Sequence, residues 1–304
     1  MHLLIEQVLN GLQYGVTLFL LAAGLTLIFG IMGVVNLAHG SIYMFGAFVG
    51  ATLAARTGSF PLAVFGGALA AALLGIAIEF TIIRRLYARD HLDQVLVTFG
   101  LILCIEEAAA WIWGRTPLFA QIPAGLSGSL HFFDFTYPVY RLVVIGFGLA
   151  SALGLYLLIS RTRIGMLIRA GATNRELLGA LGVNIALLYT LVFGLGAFLS
   201  GLAGAAIAPL AAVQTSMGEQ ILIVTFVVVV VGGLGSIRGA FIAAMLVAML
   251  DTLARGYIPL ALKGVFSASV ADSLGAGLAS ITIYLFMALV LIRKPQGLFP
   301  LEQR

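Results

Sequence analysis

Three ionisable side chains inside apolar runs are the first candidates for chemistry in this sequence. Glu106 and Glu107 interrupt the run 94–114, and His39 stands in the stretch GIMGVVNLAHGS. Carboxylates and imidazoles in such surroundings can carry ions or protons, but they also hydrogen-bond one helix to another. Both interpretations are kept for the two glutamates, whereas a structural, hydrogen-bonded role is favoured for His39.

Two polar, glycine-rich stretches, 30–41 (GIMGVVNLAHGS) and 232–239 (GGLGSIRG), each follow an apolar run and precede a run of small residues. Glycines allow helices to pack closely, but a broken helix can also expose backbone groups to a transport pathway. We expect these two stretches and the glutamates to line such a pathway. The residues assigned to it are Asn36, His39, Gly40, Ser41, Glu106, Glu107, Gly232, Gly233 and Gly235.

The longest basic, polar interruption is the segment 161–184, RTRIGMLIRAGATNRELLGALGVN. Thr173 and Glu176 have the spacing of a capping box, in which two side chains satisfy backbone N–H groups at a helix start. Gly182 suits the left-handed conformation that ends a helix. The apolar stripe between them consists of Leu177, Leu178 and Leu181. The spacing predicts a helix of about eight residues, roughly 12 Å long, which is too short to cross a membrane and should lie against a surface.

Motifs for nucleotide binding and hydrolysis are missing from the sequence. Neither Lys263 nor Lys294 follows a glycine, so there is no phosphate-binding loop, and neither H-E-x-x-H nor G-x-S-x-G occurs. The single cysteine, Cys104, can form no disulfide within the chain. We therefore expect no catalytic residue, no metal site and no cofactor in this chain, and any pumping must draw energy from another subunit or an ion gradient.

The composition indicates an all-α, polytopic membrane protein. Of 304 residues, 62% are hydrophobic and only 9% are charged, whereas soluble domains carry about 25% charged residues. The run 221–231, ILIVTFVVVVV, does not alternate as a β-barrel strand would. The net charge of +4 needs no nucleic-acid partner, because cytoplasmic loops collect Arg and Lys.

Nine apolar segments predict about nine membrane crossings, with eight or ten as alternatives. Six are long enough for about 30 Å of hydrocarbon: 10–32, 61–83, 94–114, 138–159, 186–210 and 274–292. Three are shorter or broken: 41–56, 219–234 and 239–255. Together they predict a single transmembrane domain covering residues 1–304.

The distribution of arginines predicts which side each loop occupies. Clusters at 84–89, 161–175 and 293–304 are separated by even numbers of crossings, so all three fall on the cytoplasmic side. The segment 161–184 is therefore cytoplasmic, and Glu79, one turn before Arg84, is expected at the inner interface. The loop 115–137 is then external, with a short strand predicted at 131–135.

Four stretches of the chain resemble a known family. Gly24–Phe48 and Val227–Ala244 look like the two signatures of the branched-chain amino acid ABC importer permeases, especially the LivH type. Glu176–Gly182, ELLGALG, resembles the E-A-A-x-x-x-G element of bacterial importer permeases, with leucines where alanines are usual. The C-terminal RKPQGLFP is also similar to the family, so the resemblance covers essentially the whole chain.

The resemblance implies a fold akin to the ribose-type importer permeases, with about eight to ten helices, some short or broken. It also implies a bacterial inner-membrane complex with a second homologous permease as a heterodimer, two ATP-binding subunits that hold ATP and Mg, and a periplasmic substrate-binding protein. Membrane lipid surrounds such a complex. The E-A-A-like helix would dock on the ATPase. The residues so assigned are Arg169, Thr173, Asn174, Arg175, Glu176, Leu177, Leu178, Leu181 and Gly182.

Two functional hypotheses follow. In the first, the chain is a permease subunit of an ATP-driven importer for branched-chain amino acids or related small amino acids, carboxylates or amides. In the second, it is an ion-coupled secondary transporter or channel that uses Glu106, Glu107 or His39. Whether Arg169 and Arg175 contact the ATPase or only anchor the segment at the membrane surface is open.

Overall fold

The computed structural model describes residues 2–132 and 135–299. Helices dominate this part of the chain, and one β-hairpin lies in the loop between α4 and α5. The helices are α1 His2–Met32, α2 His39–Thr57, α3 Phe60–Thr81, α4 His91–Trp113, α5 Val139–Arg161, α6 Arg163–Thr173, α7 Arg175–Ala180, α8 Ile185–Ile207, α9 Met217–Gly232, α10 Ile237–Leu262 and α11 Ala268–Arg293. The hairpin pairs β1 Ser129–Phe132 with β2 Phe135–Pro138 in antiparallel register.

Each of the nine predicted apolar segments lies on one helix, which confirms the all-α, polytopic fold. In the described part of the chain, seven helices have the length and apolar composition needed to cross a membrane, namely α1, α3, α4, α5, α8, α10 and α11. The other two segments correspond to α2 and to the shorter apolar helix α9. The prediction that 239–255 is short or broken is wrong, because this segment lies within the 26-residue helix α10. The strand predicted at 131–135 is found as a hairpin, although positions 133–134 lie outside the described residues, as does Arg304.

Helix α1 forms the centre of the fold. From residue 11 to residue 32 it is apolar on almost every side and most residues are buried, which is the pattern of a helix surrounded by protein. Helices α10, α8 and α5 pack around it. Small residues set the closest approach to α10, because a β-carbon at Gly11 would meet the Met249 and Thr252 side chains. Farther along, the Phe19 and Phe241 rings meet edge to face, with centroids 5.0 Å apart.

A second layer consists of α2, α3 and α8, which pack tightly through glycine and alanine. A β-carbon at Gly46 would overlap the backbone of Gly201, and one at Gly75 would overlap the Ala197 side chain. Close contact of this kind is a main source of helix association in lipid, where burial of apolar surface gives little driving force. The larger outward-facing side chains of α4, α5 and α11 remain exposed and form the apolar periphery.

Helix α2 begins deep within the fold. The chain leaves α1 at Met32, runs without regular structure over 33–38, and enters α2 at His39, whose ring contacts the Leu21 carbonyl oxygen. Leu21 is eleven residues before Met32, which places the start of α2 roughly 16 Å back along α1 at 1.5 Å per residue. The first turn of α9 packs against this point, since Gly40 and Gly218 are in backbone contact.

Candidate coupling segment and pathway residues

Three helices follow one another after α5, and each begins at a side-chain cap. The Thr162 hydroxyl accepts a hydrogen bond of 3.1 Å from the Gly165 N–H at the start of α6. The side-chain oxygen of Asn174 accepts one of 2.9 Å from Leu177 at the start of α7. Asn184 does the same for Leu187, at 3.0 Å, at the start of α8. The caps divide the segment into two short helices and a spanning one.

The predicted capping box at Thr173 and Glu176 is wrong. Thr173 is the last residue of α6, and its hydroxyl donates 3.0 Å back to the Arg169 carbonyl oxygen. The helical pattern of α6 continues through Thr173 and moves the cap to Asn174, a residue type that caps at least as well as threonine. Helix α7 therefore has six residues instead of about eight, and Glu176 lies in its first turn.

The predicted stop at Gly182 is confirmed. Gly182 has a φ of +85°, which L side chains rarely adopt. Its N–H donates to the Gly179 carbonyl oxygen at 3.0 Å, and the Val183 N–H donates to that of Leu178 at 3.3 Å. This pair of bonds is the Schellman arrangement that closes a helix C-terminus.

The three leucines of the predicted apolar stripe do not share one environment. Leu178 is 5% exposed, whereas Leu177 is 59% and Leu181 is 73% exposed. Leu177 and Leu181 are four residues apart, so they lie on one side of α7 and its C-cap. This side is an uncovered apolar surface on the segment that carries Arg175 and Glu176.

Leu178 ties α7 to the rest of the fold. A β-carbon at Gly171 of α6 would lie 3.5 Å from the Leu178 side chain, 3.2 Å from Leu188 of α8 and 3.6 Å from Ile31 of α1. Four helices therefore meet around Gly171. A displacement of α7 would act on α1 and α8 through this contact.

The charged residues assigned to coupling are all exposed, but their neighbours differ. The Arg169 guanidinium donates a hydrogen bond to the Ile159 carbonyl oxygen near the end of α5. Arg175 and Glu176 form no salt bridge with any residue in the described ranges. The α7 charges are thus available to a partner, whereas Arg169 is turned towards α5.

The first group of predicted pathway residues is buried in the core. Asn36, His39 and Ser41 are at most 1% exposed. The His39 ring bonds the Leu21 carbonyl oxygen at 3.2 Å, and the Ser200 hydroxyl donates to the His39 carbonyl at 3.1 Å. Within this group, the buried side-chain atoms Asn36 Nδ2, His39 Nδ1 and Ser41 Oγ have no hydrogen-bond partner in the described structure. These contacts fit the structural role that we favour for His39.

The second group, around Gly232 and Gly233, joins α9 to α10 beneath the C-terminal segment. Gly233 has a φ of +101° and Gly235 one of +84°. The backbone N–H groups of Leu298 and Phe299 donate to the carbonyls of Val231 and Gly232, at 2.8 and 3.1 Å. Gly235 also approaches Gly30, where an added β-carbon would lie 3.0 Å from the Gly235 Cα.

The structure brings the two glycine-rich stretches together at Gly30 and Gly235. Asn36, His39 and Ser41 are buried at the start of α2. The glutamates lie on α4. Glu107 pairs with Arg115 at 2.6 Å on the exposed surface, while Glu106 keeps one carboxylate oxygen buried and without a partner among the described residues.

A buried carboxylate that sequence reasoning placed at the interface is part of an extended network. Glu79 of α3 is 0% exposed. It accepts hydrogen bonds from Arg84 Nε and Nη2, both at 3.2 Å, from Tyr87 at 2.5 Å and from Thr190 of α8 at 2.7 Å. Burial, followed by the bond to Glu79, raises the pKa of the Tyr87 hydroxyl. The ion pair could be predicted because Glu79 and Arg84 are five residues apart in the sequence. The contact with Thr190 could not, because Thr190 is 111 residues from Glu79.

Comparison with known proteins identifies the family of this chain. The family described as branched-chain amino acid transport system permease component matches residues 7–291. Among curated relatives, the high-affinity branched-chain amino acid transport permease BraD of Pseudomonas aeruginosa is 29% identical, over 97% of this chain and 95% of BraD. The corresponding LivH of Escherichia coli is 26% identical, over 86% of this chain and 90% of LivH. Among solved structures, PsaBC from Streptococcus pneumoniae in complex with Fab aligns with a TM-score of 0.47 and 14% identity, over 97% of this chain and 92% of that one.

The family match extends from α1 to α11 and includes both glycine-rich stretches and the capped helices between α5 and α8. The chain therefore belongs to the family of branched-chain amino acid transport system permease components.

Proposed function

We propose that this chain is the membrane permease of an ATP-driven importer for branched-chain amino acids or related small amino acids, carboxylates or amides. It would form half of the translocation pathway in a bacterial inner membrane. A second, homologous permease would supply the other half, and a periplasmic binding protein would deliver the substrate. Two separate ATPase subunits would bind ATP and Mg, because this sequence has no phosphate-binding loop.

One observation carries the proposal. Helix α7 is a short, capped helix whose Leu178 side chain packs into the core. Leu177 and the C-cap residue Leu181 are exposed to solvent, beside the charged residues of α7 that form no salt bridge in the described structure. An exposed apolar surface rimmed by polar residues is typical of a protein interaction site. A groove in the ATPase is the partner that we propose for it. Movement of α7 would then reach α1 and α8 through the contacts around Gly171.

The experiment is co-expression of the chain with its ATPase and second permease, followed by co-purification and reconstitution into vesicles. We expect Glu176→Lys combined with Leu177→Asp to abolish ATPase co-purification and to leave membrane insertion intact. Arg293→Gln, at the end of α11, serves as a charge-altered control that keeps the ATPase bound. Unchanged co-purification of the double variant would overturn the docking assignment.

Transport measurements separate the two functional classes. In vesicles, labelled leucine should accumulate only with the ATPase, ATP and the binding protein present. Uptake by this chain alone, driven by a proton or sodium gradient and lost in Glu106→Gln, would instead establish the ion-coupled alternative. Glu107 is paired with Arg115 and His39 is buried against α1, so the alternative rests on Glu106, whose buried carboxylate oxygen has no partner among the described residues.

A further inference from the structure

A large cleft lies beside α1, and at one end it reaches Gly235 of the second glycine-rich stretch and Arg169 and Thr173 of α6. Its volume is about 1700 Å³, and its floor is the face of α1 that runs from Phe19 to Ile31. That span corresponds to roughly 18 Å along the helix axis at 1.5 Å per residue. The cleft is therefore more than half as deep as the hydrocarbon core of a bilayer, which is about 30 Å thick.

The cleft exists because α5 and α10 both pack on α1 but hardly touch each other. The side chains left uncovered on the two walls are large and apolar. Leu153 of α5 is 58% exposed and Ile242 of α10 is 38% exposed. Apolar walls that open sideways at this depth would be unfavourable in contact with water, so the cleft needs an apolar occupant.

The rim of the cleft has a different character. Arg169 of α6 and Arg238 of α10 line it, together with the polar residues Ser160, Ser236 and Gln296. No acidic residue lines the cleft in the described part of the chain. Both arginines are exposed, and the positive-inside rule puts this rim at the cytoplasmic surface of the membrane. The rim thus favours an anion at the level of the lipid headgroups.

We propose that the cleft binds one anionic phospholipid of the cytoplasmic leaflet. The phosphate contacts Arg169 and Arg238 at the rim, and an acyl chain fills the apolar groove along α1. Basic pockets between membrane helices on the cytoplasmic side bind anionic lipid headgroups in this way. The proposal does not depend on the transport function.

Two other occupants fit the cleft less well. A small transported molecule would need a smaller, closed site, since ligand pockets are typically about 300–1,000 Å³. A helix of the second permease could cover the apolar walls, but it would have to supply an acidic group for two arginines. A phospholipid satisfies both the length of the groove and the charge at its rim.

The proposal assigns different roles to Arg169 and Arg175, two of the four arginines in the segment 161–184. Arg169 lines the cleft, and its guanidinium already contacts the end of α5. Arg175 does not line the cleft and is free of salt bridges in the described structure. Arg169 therefore belongs to the lipid site, and Arg175 is the residue left for a protein partner.

The test is native mass spectrometry of the full-length chain, released from micelles after incubation with dioleoyl-phosphatidylglycerol or dioleoyl-phosphatidylcholine. The wild type should retain one phosphatidylglycerol in preference to phosphatidylcholine. One basic residue near an anionic headgroup strengthens binding about fivefold. Arg238→Gln should thus reduce the preference about fivefold, and Arg169→Gln with Arg238→Gln about thirtyfold.

Two further variants test the location of the site. Arg293→Gln removes a basic residue outside the cleft and should keep the full preference. Leu153→Trp fills the groove without changing charge and should reduce retention of both lipids. Equal retention of the two lipids by the wild type would overturn the proposal, as would equal losses in Arg238→Gln and Arg293→Gln. A disulfide between Leu153→Cys and a cysteine of the second permease would also overturn the proposal, if the cross-linked complex no longer retained phosphatidylglycerol.

Discussion

The carboxylate of Glu79, near the end of α3, accepts a hydrogen bond of 2.7 Å from the Thr190 hydroxyl, in the second turn of α8. The two residues are 111 positions apart, yet Arg84 contacts both, donating 2.8 Å to Thr190. Helix α8 directly follows α7 and its stop at Gly182. The network therefore joins α8, the helix after the proposed docking segment, to the C-terminal end of α3.

Removal of the buried carboxylate should destabilise the protein strongly. Breaking a fully buried ion pair typically costs about 3–5 kcal/mol. Because the Arg84 side chain is 34% exposed, we expect Glu79→Ala to cost less, about 2–3 kcal/mol. Equilibrium unfolding in mixed micelles measures this change. The control is Glu107→Ala, which removes an exposed pair and should cost at most about 1 kcal/mol; equal losses in the two variants would contradict the buried network.

The Tyr87 hydroxyl gives the same network a pH dependence. Its pKa is raised in the folded protein by burial and then by the Glu79 carboxylate. A group with a raised folded pKa contributes stability below its unfolded pKa of about 10, and that stability is lost as the pH rises further. We expect the loss of stability above about pH 10 to be smaller in Tyr87→Phe than in the wild type. If the free energy of unfolding fell equally in the two proteins between neutral and alkaline pH, this role of Tyr87 would be refuted.

The contact between the first turns of α2 and α9 leaves no room for a side chain. A β-carbon at Gly40 would overlap the Gly218 carbonyl oxygen, whereas one at Gly100 in α4 would meet nothing within 4 Å. Gly40→Ala should therefore lower the yield of folded protein or cost about 1–3 kcal/mol, the usual range for overpacking. Gly100→Ala should be neutral or stabilise by up to about 1 kcal/mol. Size-exclusion profiles and melting temperatures of both variants decide between these outcomes.

Long helices could be predicted from this sequence because few backbone conformations are stable in the hydrocarbon region of a membrane. Runs such as 10–32 and 186–210 must satisfy their backbone groups internally, so apolar length alone indicates the helix. The stop at Gly182 could be predicted for a similar reason, since its φ of +85° is a local property of glycine.

The remaining features depend on contacts between distant residues. The depth at which α2 begins follows from the contacts of His39 with Leu21 and of Gly40 with Gly218, which no local pattern encodes. The burial of Glu79 depends on Thr190. The cap at Asn174 was missed because Thr173, one residue earlier, has a side chain of similar capping ability, and only the end of α6 distinguishes them.

The two exposed leucines and the buried one on α7 should respond to mutation in different ways. Leu178 is buried where four helices meet, so Leu178→Ala should cost about 2–4 kcal/mol of stability. Leu181→Ala, at a position that is 73% exposed, should change stability by less than about 0.5 kcal/mol but weaken ATPase co-purification. Unfolding and pull-down measured on the same preparations check both expectations, and the reverse pattern would place the docking surface elsewhere.

The identity of the α7 cap can be tested separately from global stability, because a lost cap frays the end of one helix. Asn174 accepts the Leu177 N–H at 2.9 Å, whereas the Thr173 hydroxyl bonds back into α6. Loss of such a cap costs about 1 kcal/mol, which corresponds to roughly fivefold faster local exchange. Hydrogen–deuterium exchange of a peptide covering 174–182 should therefore accelerate by about that factor in Asn174→Ala and remain close to wild type in Thr173→Ala. The opposite result would restore the capping box at Thr173 and Glu176.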